Sequence, residues 1–250
     1  MQALVIIPAR YDSERLPGKP ILEKARKITG KYIIQHVYER ALSAELVDDA
    51  VVATDDARIF EVVKSFGGKA QMTSPAHRSG TDRIAEVASN MPHPVIVNIQ
   101  GDEPEITPKQ INKVINLLKN DPDADMGTLA HEITDTATYL DPNSVKAVRD
   151  NNGNALYFSR SPIPCVRGDI QKWVEEGSYK ALKHLGIYSY RRDFLLEFSQ
   201  MPVAQLESAE KLEQLRALQA GKRIKIAITD TPSLGIDTEE DLHRWLNKFK

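Results

Sequence analysis

The segment ARYDSERLPGKP, residues 9–20, follows an apolar run and gathers Arg10, Arg15 and Lys19 into one turn. Cations so spaced can wrap a triphosphate. Gly18 lets the backbone approach phosphate oxygens, Pro17 and Pro20 stiffen the loop, and the positive charges offset charge building on a departing pyrophosphate. A solvated basic loop is the competing reading, and position at the end of a buried strand favours the ligand. The glycine patterns of a P-loop and of a dinucleotide fingerprint are both absent. Further on, VNIQGDEP (97–104) delivers Asp102 and Glu103 directly after Gly101, with Pro104 ending the strand. A carboxylate at a strand tip suits Mg²⁺, which takes a few carboxylate oxygens, phosphate oxygens and waters. It also suits an ordinary acidic turn. LGIDT (234–238) sets Asp237 just before the last helix, where it reads equally as a second metal carboxylate or as helix-start punctuation.

These residues need a scaffold that brings several strand ends together. Apolar stretches at Leu4–Ala9 and Ala50–Ala53 flank 32–46, where Ile33, Ile34, Val37, Ala41 and Leu42 share one helical face. The β-α-β alternation continues with helix 57–66 stopped by Gly67 and Gly68, a short strand near Gln71, helix 81–91 and strand 95–99. Such alternation predicts an α/β fold with a mostly parallel, doubly wound sheet. In that class ligands sit beyond the carboxyl ends of the strands, which is where Arg10 to Lys19, Thr54 to Asp56 and Gln100 to Pro104 fall.

After about residue 130 the pattern changes. Asn152-Gly153 reads as a hairpin turn between 145–148 and 155–158, so an antiparallel insertion is expected. The Gly- and charge-rich stretch 167–183 predicts a mobile loop or short helix before strand 184–190. Helix 208–220 then presents Leu212, Leu215 and Leu218 inward, Gly221 closes it, and 224–228 returns as a strand. A last amphipathic helix, 238–249, starts with Thr238 as N-cap and Asp241 three residues on. The whole chain, 1–250, reads as one domain, with residues about 130–200 as an antiparallel subregion.

The charge balance, 33 Lys+Arg against 35 Asp+Glu, asks for neither a nucleic-acid nor a membrane-surface partner, so an anionic ligand must be held by local placement. The opening apolar run is too short for a signal peptide or a membrane span, and a cytoplasmic protein is expected. The single cysteine, Cys165, permits no internal disulfide and reads as a small packed side chain.

Taken together, IPARYDSERLPGKP, VYERA, ATDD, SGTDR, NIQGDEP, NALYFSRSPIP, HLGIYSYR, LEQLRAL and GIDT resemble the 3-deoxy-manno-octulosonate (Kdo) cytidylyltransferases, in order along essentially the whole chain. The resemblance implies a Rossmann-like sheet of the nucleotide-diphospho-sugar transferase type. The implied reaction is transfer of the cytidylyl group of CTP to the anomeric hydroxyl of Kdo, with release of pyrophosphate, for lipopolysaccharide biosynthesis. Residue by residue, it implies that Ala9, Arg10 and Lys19 face the triphosphate, that Ser79, Gly80 and Arg83 lie on the cytidine side, and that Gln100 stands between nucleotide and sugar. Asp102 and Asp237 match the two Mg²⁺-binding, catalytic aspartates, with Arg10 and Lys19 beside them. Arg160, His184, Tyr188, Glu213 and Gln214 match the sugar pocket. A guanidinium such as Arg160 suits the sugar carboxylate, whereas His184 taken alone would read as a structural histidine. A homodimer through residues 140–190 is also implied.

The chain departs from that pattern at ILEKARKIT (21–29), which is longer and more basic than the family's, and at Tyr32, where proline is usual. A surface-loop extension or a lid over the triphosphate is expected there. The rival readings are a synthetase for another acidic sugar, such as a sialic acid or amino-Kdo, and a catalytically silent nucleotide-binding homologue.

Overall fold

A computed structural model describes residues 3–12, 15–177, 180–232 and 235–249. Ser13 and Glu14 of the basic loop, Ser178 and Tyr179 of the charged stretch and Leu234 of the LGIDT motif lie outside the described residues.

In chain order the elements are β1 (Ala3–Ala9), α1 (Glu23–Thr29), α2 (Ile33–Leu42), β2 (Val47–Thr54), α3 (Ala57–Ser65), β3 (Ala70–Met72), α4 (Gly80–Ser89), β4 (Val95–Asn98) and α5 (Pro108–Asn120). There follow β5 (Met126–Glu132), α6 (Thr136–Leu140), β6 (Lys146–Arg149), β7 (Ala155–Ser159), α7 (Ile170–Glu176) and β8 (Leu182–Arg191). The chain ends with α8 (Arg192–Gln200), α9 (Gln205–Glu210), α10 (Gln214–Gln219), β9 (Ile224–Ile228) and α11 (Glu239–Leu246).

Every residue of β1 is buried, as expected of a strand covered on both faces. It pairs in parallel with β2 and β4, and the path runs β3-β2-β1-β4-β8-β5-β9. The odd residues Val5 and Ile7 face a core built with α2, α3 and α5, and the even residues Leu4 and Ile6 face one built with α4, α8 and α10. That period of two is what places successive side chains on opposite faces.

The antiparallel element is no appendage. β8 lies inside the main sheet, antiparallel to both β4 and β5, and the β6–β7 hairpin attaches to it through β6. Gly153 turns that hairpin with φ +81°. A third, smaller core joins Leu16 and Ala25 to Leu242, Trp245 and Leu246, packing α1 against α11.

Three expectations are corrected here. Stretch 21–29 is not a plain surface loop: residues 23–29 form α1, because Glu-Lys-Ala-Arg-Lys is a strong helix-forming run whose Ala25 is buried against α11. Helix 208–220 is two helices, broken where Lys211 takes φ 54°. Cys165 is exposed, beside the cis Ile163–Pro164 peptide. Among the described residues no helix is long and apolar enough to cross a membrane.

Candidate active site

The carboxyl ends of β1 and β4 open into a cavity of about 320 Å³ whose lining includes Ala9, Arg10, Lys19, Ser79, Gln100 and Asp102. A larger cavity, about 610 Å³, lies behind the same loop between α4 and α8. It lacks the Lys19–Asp102 pair, which makes the smaller one the candidate site.

Lys19 is placed by Gly18, whose φ of +68° turns the chain and whose missing Cβ makes room for the Tyr11 ring. The Lys19 ammonium contacts the Asp102 carboxylate and, at 2.9 Å, that of Asp237. Burial pulls the Lys19 pKa down, but the two carboxylates outweigh it and hold the group above the ordinary lysine value. Arg15 adds a second cation to Asp237, at 3.2 Å. Asp237 directly precedes α11, where Thr238 and Asp241 form the capping box, so the helix-start role falls to Thr238 and the Asp237 carboxylate is left to the two cations.

Arg10 donates from Nη2 to the carbonyl of His77 at 2.8 Å, tying the basic loop to the segment before α4. Ser79 caps α4, its hydroxyl accepting from the Asp82 amide at 3.1 Å. Gly80 opens the helix 3.5 Å from Pro8, as judged by where a Cβ would stand. The N-terminus of α4 thus faces the cavity through Ser79 and Gly80, a favourable place for anions. Gly101 also requires its lack of side chain, since a Cβ would fall 3.0 Å from Ile34 and 3.1 Å from the Pro8 carbonyl.

Arg83 is not brought to the cavity. It is fully buried and donates to Asp55 at 2.7 Å and to Thr73, locking the segments that follow β2 and β3.

Of the residues that the resemblance implies for the sugar pocket, His184 and Tyr188 lie on β8. His184 meets Thr128 Oγ1 at 3.0 Å and packs between Phe158 and Tyr188, with ring centroids 5.0 and 5.3 Å away. This enclosure drives its pKa down to about 3, so the ring is neutral at pH 7. Tyr188 is pushed well up, first by burial and then by Glu213 and Glu103 nearby. It stands opposite Asn98 in the β4–β8 ladder, and Gln100 Nε2 donates to the Asn98 amide oxygen at 3.4 Å. Gln100 is thus tied to the strand that pairs with β8. Glu213 accepts from the Thr81 hydroxyl and pairs with Arg216 at 3.3 Å; burial still raises its pKa against both. Gln214 is 4 % exposed, and its Nε2 has no hydrogen-bond partner among the described residues. Arg160 donates to the carbonyls of Glu210 at 2.7 Å and Pro142 at 3.1 Å.

A profile of the cytidylyltransferase family matches residues 4–224. The chain is 49 % identical to the 3-deoxy-manno-octulosonate cytidylyltransferase of Trichlorobacter lovleyi, covering 100 % of this chain and 99 % of that protein. It is 50 % identical to the enzyme of the same name from Geobacter sulfurreducens, covering 100 % of both. The chain belongs to the 3-deoxy-manno-octulosonate cytidylyltransferase family. A solved CMP:2-keto-3-deoxy-manno-octonic acid synthetase complexed with CTP superposes with a TM-score of 0.90 at 43 % identity, over 99 % of this chain and 98 % of that one. The 4-diphosphocytidyl-2C-methyl-D-erythritol synthase of Anaerococcus prevotii shares the fold alone, at TM-score 0.61 and 12 % identity, over 98 % of this chain and 97 % of the other.

The family residues fit a divalent ion by donor chemistry. Asp102 and Asp237 offer hard oxygen donors to one point, which Lys19 shares, and no group of three or more His, Cys, Asp or Glu that could hold an ion exists among the described residues. Two carboxylates completed by phosphate oxygens and water is a donor set that Mg²⁺ accepts. Sequence reasoning missed Thr81, which joins the cytidine-side loop to Glu213, and Thr128, which holds His184. Thr81 lay within SGTDR, whereas nothing local distinguishes Thr128.

Proposed function

We propose that this chain transfers the cytidylyl group of CTP to the anomeric hydroxyl of Kdo, giving CMP-Kdo and pyrophosphate for lipopolysaccharide assembly. The observation that carries the reading is Lys19 held between Asp102 and Asp237 beside a cavity lined by Arg10, Ser79, Gly80 and Gln100. The names of the full-length relatives support the same reaction.

Arg10, Lys19 and the N-terminus of α4 bind and orient the triphosphate. The sugar oxygen bonds to the α-phosphorus as the bond to the β-phosphate bridge breaks, and the hydroxyl proton is released. Positioning and charge neutralisation supply most of the acceleration, since no covalent intermediate is needed. Asp102 and Asp237 would hold Mg²⁺, which when bound neutralises phosphate charge and acidifies the attacking hydroxyl. Neutral His184 and the phenol of Tyr188 orient the sugar by hydrogen bonds without adding charge, and Arg160 pairs with its carboxylate.

The reading extends to a cytoplasmic homodimer formed through residues 140–190, where Leu140 and Leu156 stay 47 % and 59 % exposed. The test of the function is pyrophosphate release from CTP and Mg²⁺ with Kdo, with N-acetylneuraminate and with no sugar. Release with Kdo alone is expected. Release with the sialic acid alone would keep the fold and overturn the sugar pocket, and release with neither would point to a silent homologue.

A further inference from the structure

Lys146 is a lysine with no solvent exposure at all, on a short strand outside the nucleotide cavity. A buried ammonium is costly unless its donors are used, and it has three. All three are used on main-chain carbonyls: Asp141 at 2.8 Å, Ser144 at 2.5 Å and Arg160 at 2.7 Å. Among the described residues no carboxylate forms an ion pair with it, and its charge is offset by those carbonyl dipoles and by the more distant Asp141 and Glu210 carboxylates.

Arg160 is held by the same knot through its amide, Nε and Nη1. Its amide donates to Glu210 Oε2 at 2.8 Å, its Nε to the Glu210 carbonyl at 2.7 Å and its Nη1 to the Pro142 carbonyl at 3.1 Å. The second Glu210 oxygen takes the Ser159 hydroxyl at 2.6 Å. Lys146 therefore fixes both the carbonyl of Arg160 and the 141–144 turn whose Pro142 carbonyl steers the guanidinium.

We infer that Lys146 is a positioning residue for the acidic sugar: its buried ammonium sets the backbone and the aim of Arg160. The inference rests on the reading of Arg160 as the partner of the sugar carboxylate. It explains why a charge is retained at a site where a packed apolar side chain would be cheaper to bury.

The test compares Lys146→Met, Arg160→Met and the double variant in the full chain, reading KM for Kdo and for CTP separately. Lys146→Met is expected to raise KM for Kdo about tenfold, the scale of one charge-assisted contact, while KM for CTP stays within about twofold. In the Arg160→Met background Lys146→Met is expected to add nothing, because residues acting through one contact are non-additive. Additive effects, or equal rises in both KM values, would mean a merely structural lysine and overturn the inference. If Arg160→Met itself leaves KM for Kdo unchanged, the underlying site reading fails instead, and this inference with it. Should Lys146→Met not fold, Lys146→Gln keeps part of the donor set and is read the same way, with a smaller rise specific to Kdo expected.

Discussion

The amide of Ile236 donates to the carbonyl of Asp102 at 2.9 Å. Through that bond the residue before Asp237 is fixed to Asp102 itself, so carboxylates more than a hundred positions apart in sequence are set by main chain rather than by flexible side chains. Preorganisation of this kind is what allows charge to be stabilised without reorganisation during reaction.

Lys19 competes with any cation for both carboxylates. Lys19→Met is expected to bind Mg²⁺ more tightly in the absence of CTP, and to lose turnover by about a hundredfold or more through the missing phosphate contact. Calorimetric Mg²⁺ titration alongside steady-state rates checks both; weaker Mg²⁺ binding would show that Lys19 does not share the carboxylates.

Gly18→Ala is expected to cost about 1–2 kcal/mol from the left-handed backbone alone. Its new methyl would also meet Tyr11 at 2.9 Å, shifting the loop that aims Lys19. Thermal midpoint and KM for CTP should move together, with KM for Kdo nearly unchanged.

His184 gives the stability a defined pH dependence. Its pKa is about 3 in the folded chain against an ordinary histidine value of 6.5, so below pH 6.5 the unfolded state takes up a proton that the native state refuses. The stabilisation is present in full above pH 6.5 and is lost as pH falls toward 3, by up to about 1.4 kcal/mol per unit. Urea midpoints of wild type and His184→Gln should diverge at pH 7 and converge toward pH 4. Parallel curves would show that His184 titrates alike in both states.

Trp245→Ala is expected to cost about 3–5 kcal/mol through the cavity it leaves in the small α1–α11 core. Because that core seats the helix following Asp237, the Mg²⁺ concentration for half-maximal activity should rise more than KM for Kdo. An unchanged Mg²⁺ dependence in a folded variant would separate the α11 seat from the metal carboxylates.

Much of this architecture was legible in the sequence because its signals are local. The buried run of β1, the Asn152-Gly153 turn and the Thr238–Asp241 cap each depend on neighbouring residues only. The misreadings share a non-local cause. Nothing in 208–220 marks Lys211 as the break, because an unremarkable lysine there adopts the left-handed conformation usually left to glycine. Residues 23–29 have helix propensity of their own, but nothing local announces that α11 comes back to cover Ala25. Arg83 looks like a ligand group in sequence and is spent on Asp55 and Thr73, while Lys146 sits in KAVR with no hint that it is buried.

The most direct test measures pyrophosphate release from CTP and Kdo across a Mg²⁺ titration, for wild type, Asp102→Asn and Asp237→Asn. The account predicts Mg²⁺-dependent release by wild type that needs Kdo, and a loss of about a hundredfold or more in each variant. Near-normal turnover in either variant, or wild-type release independent of Mg²⁺ or of Kdo, would contradict it.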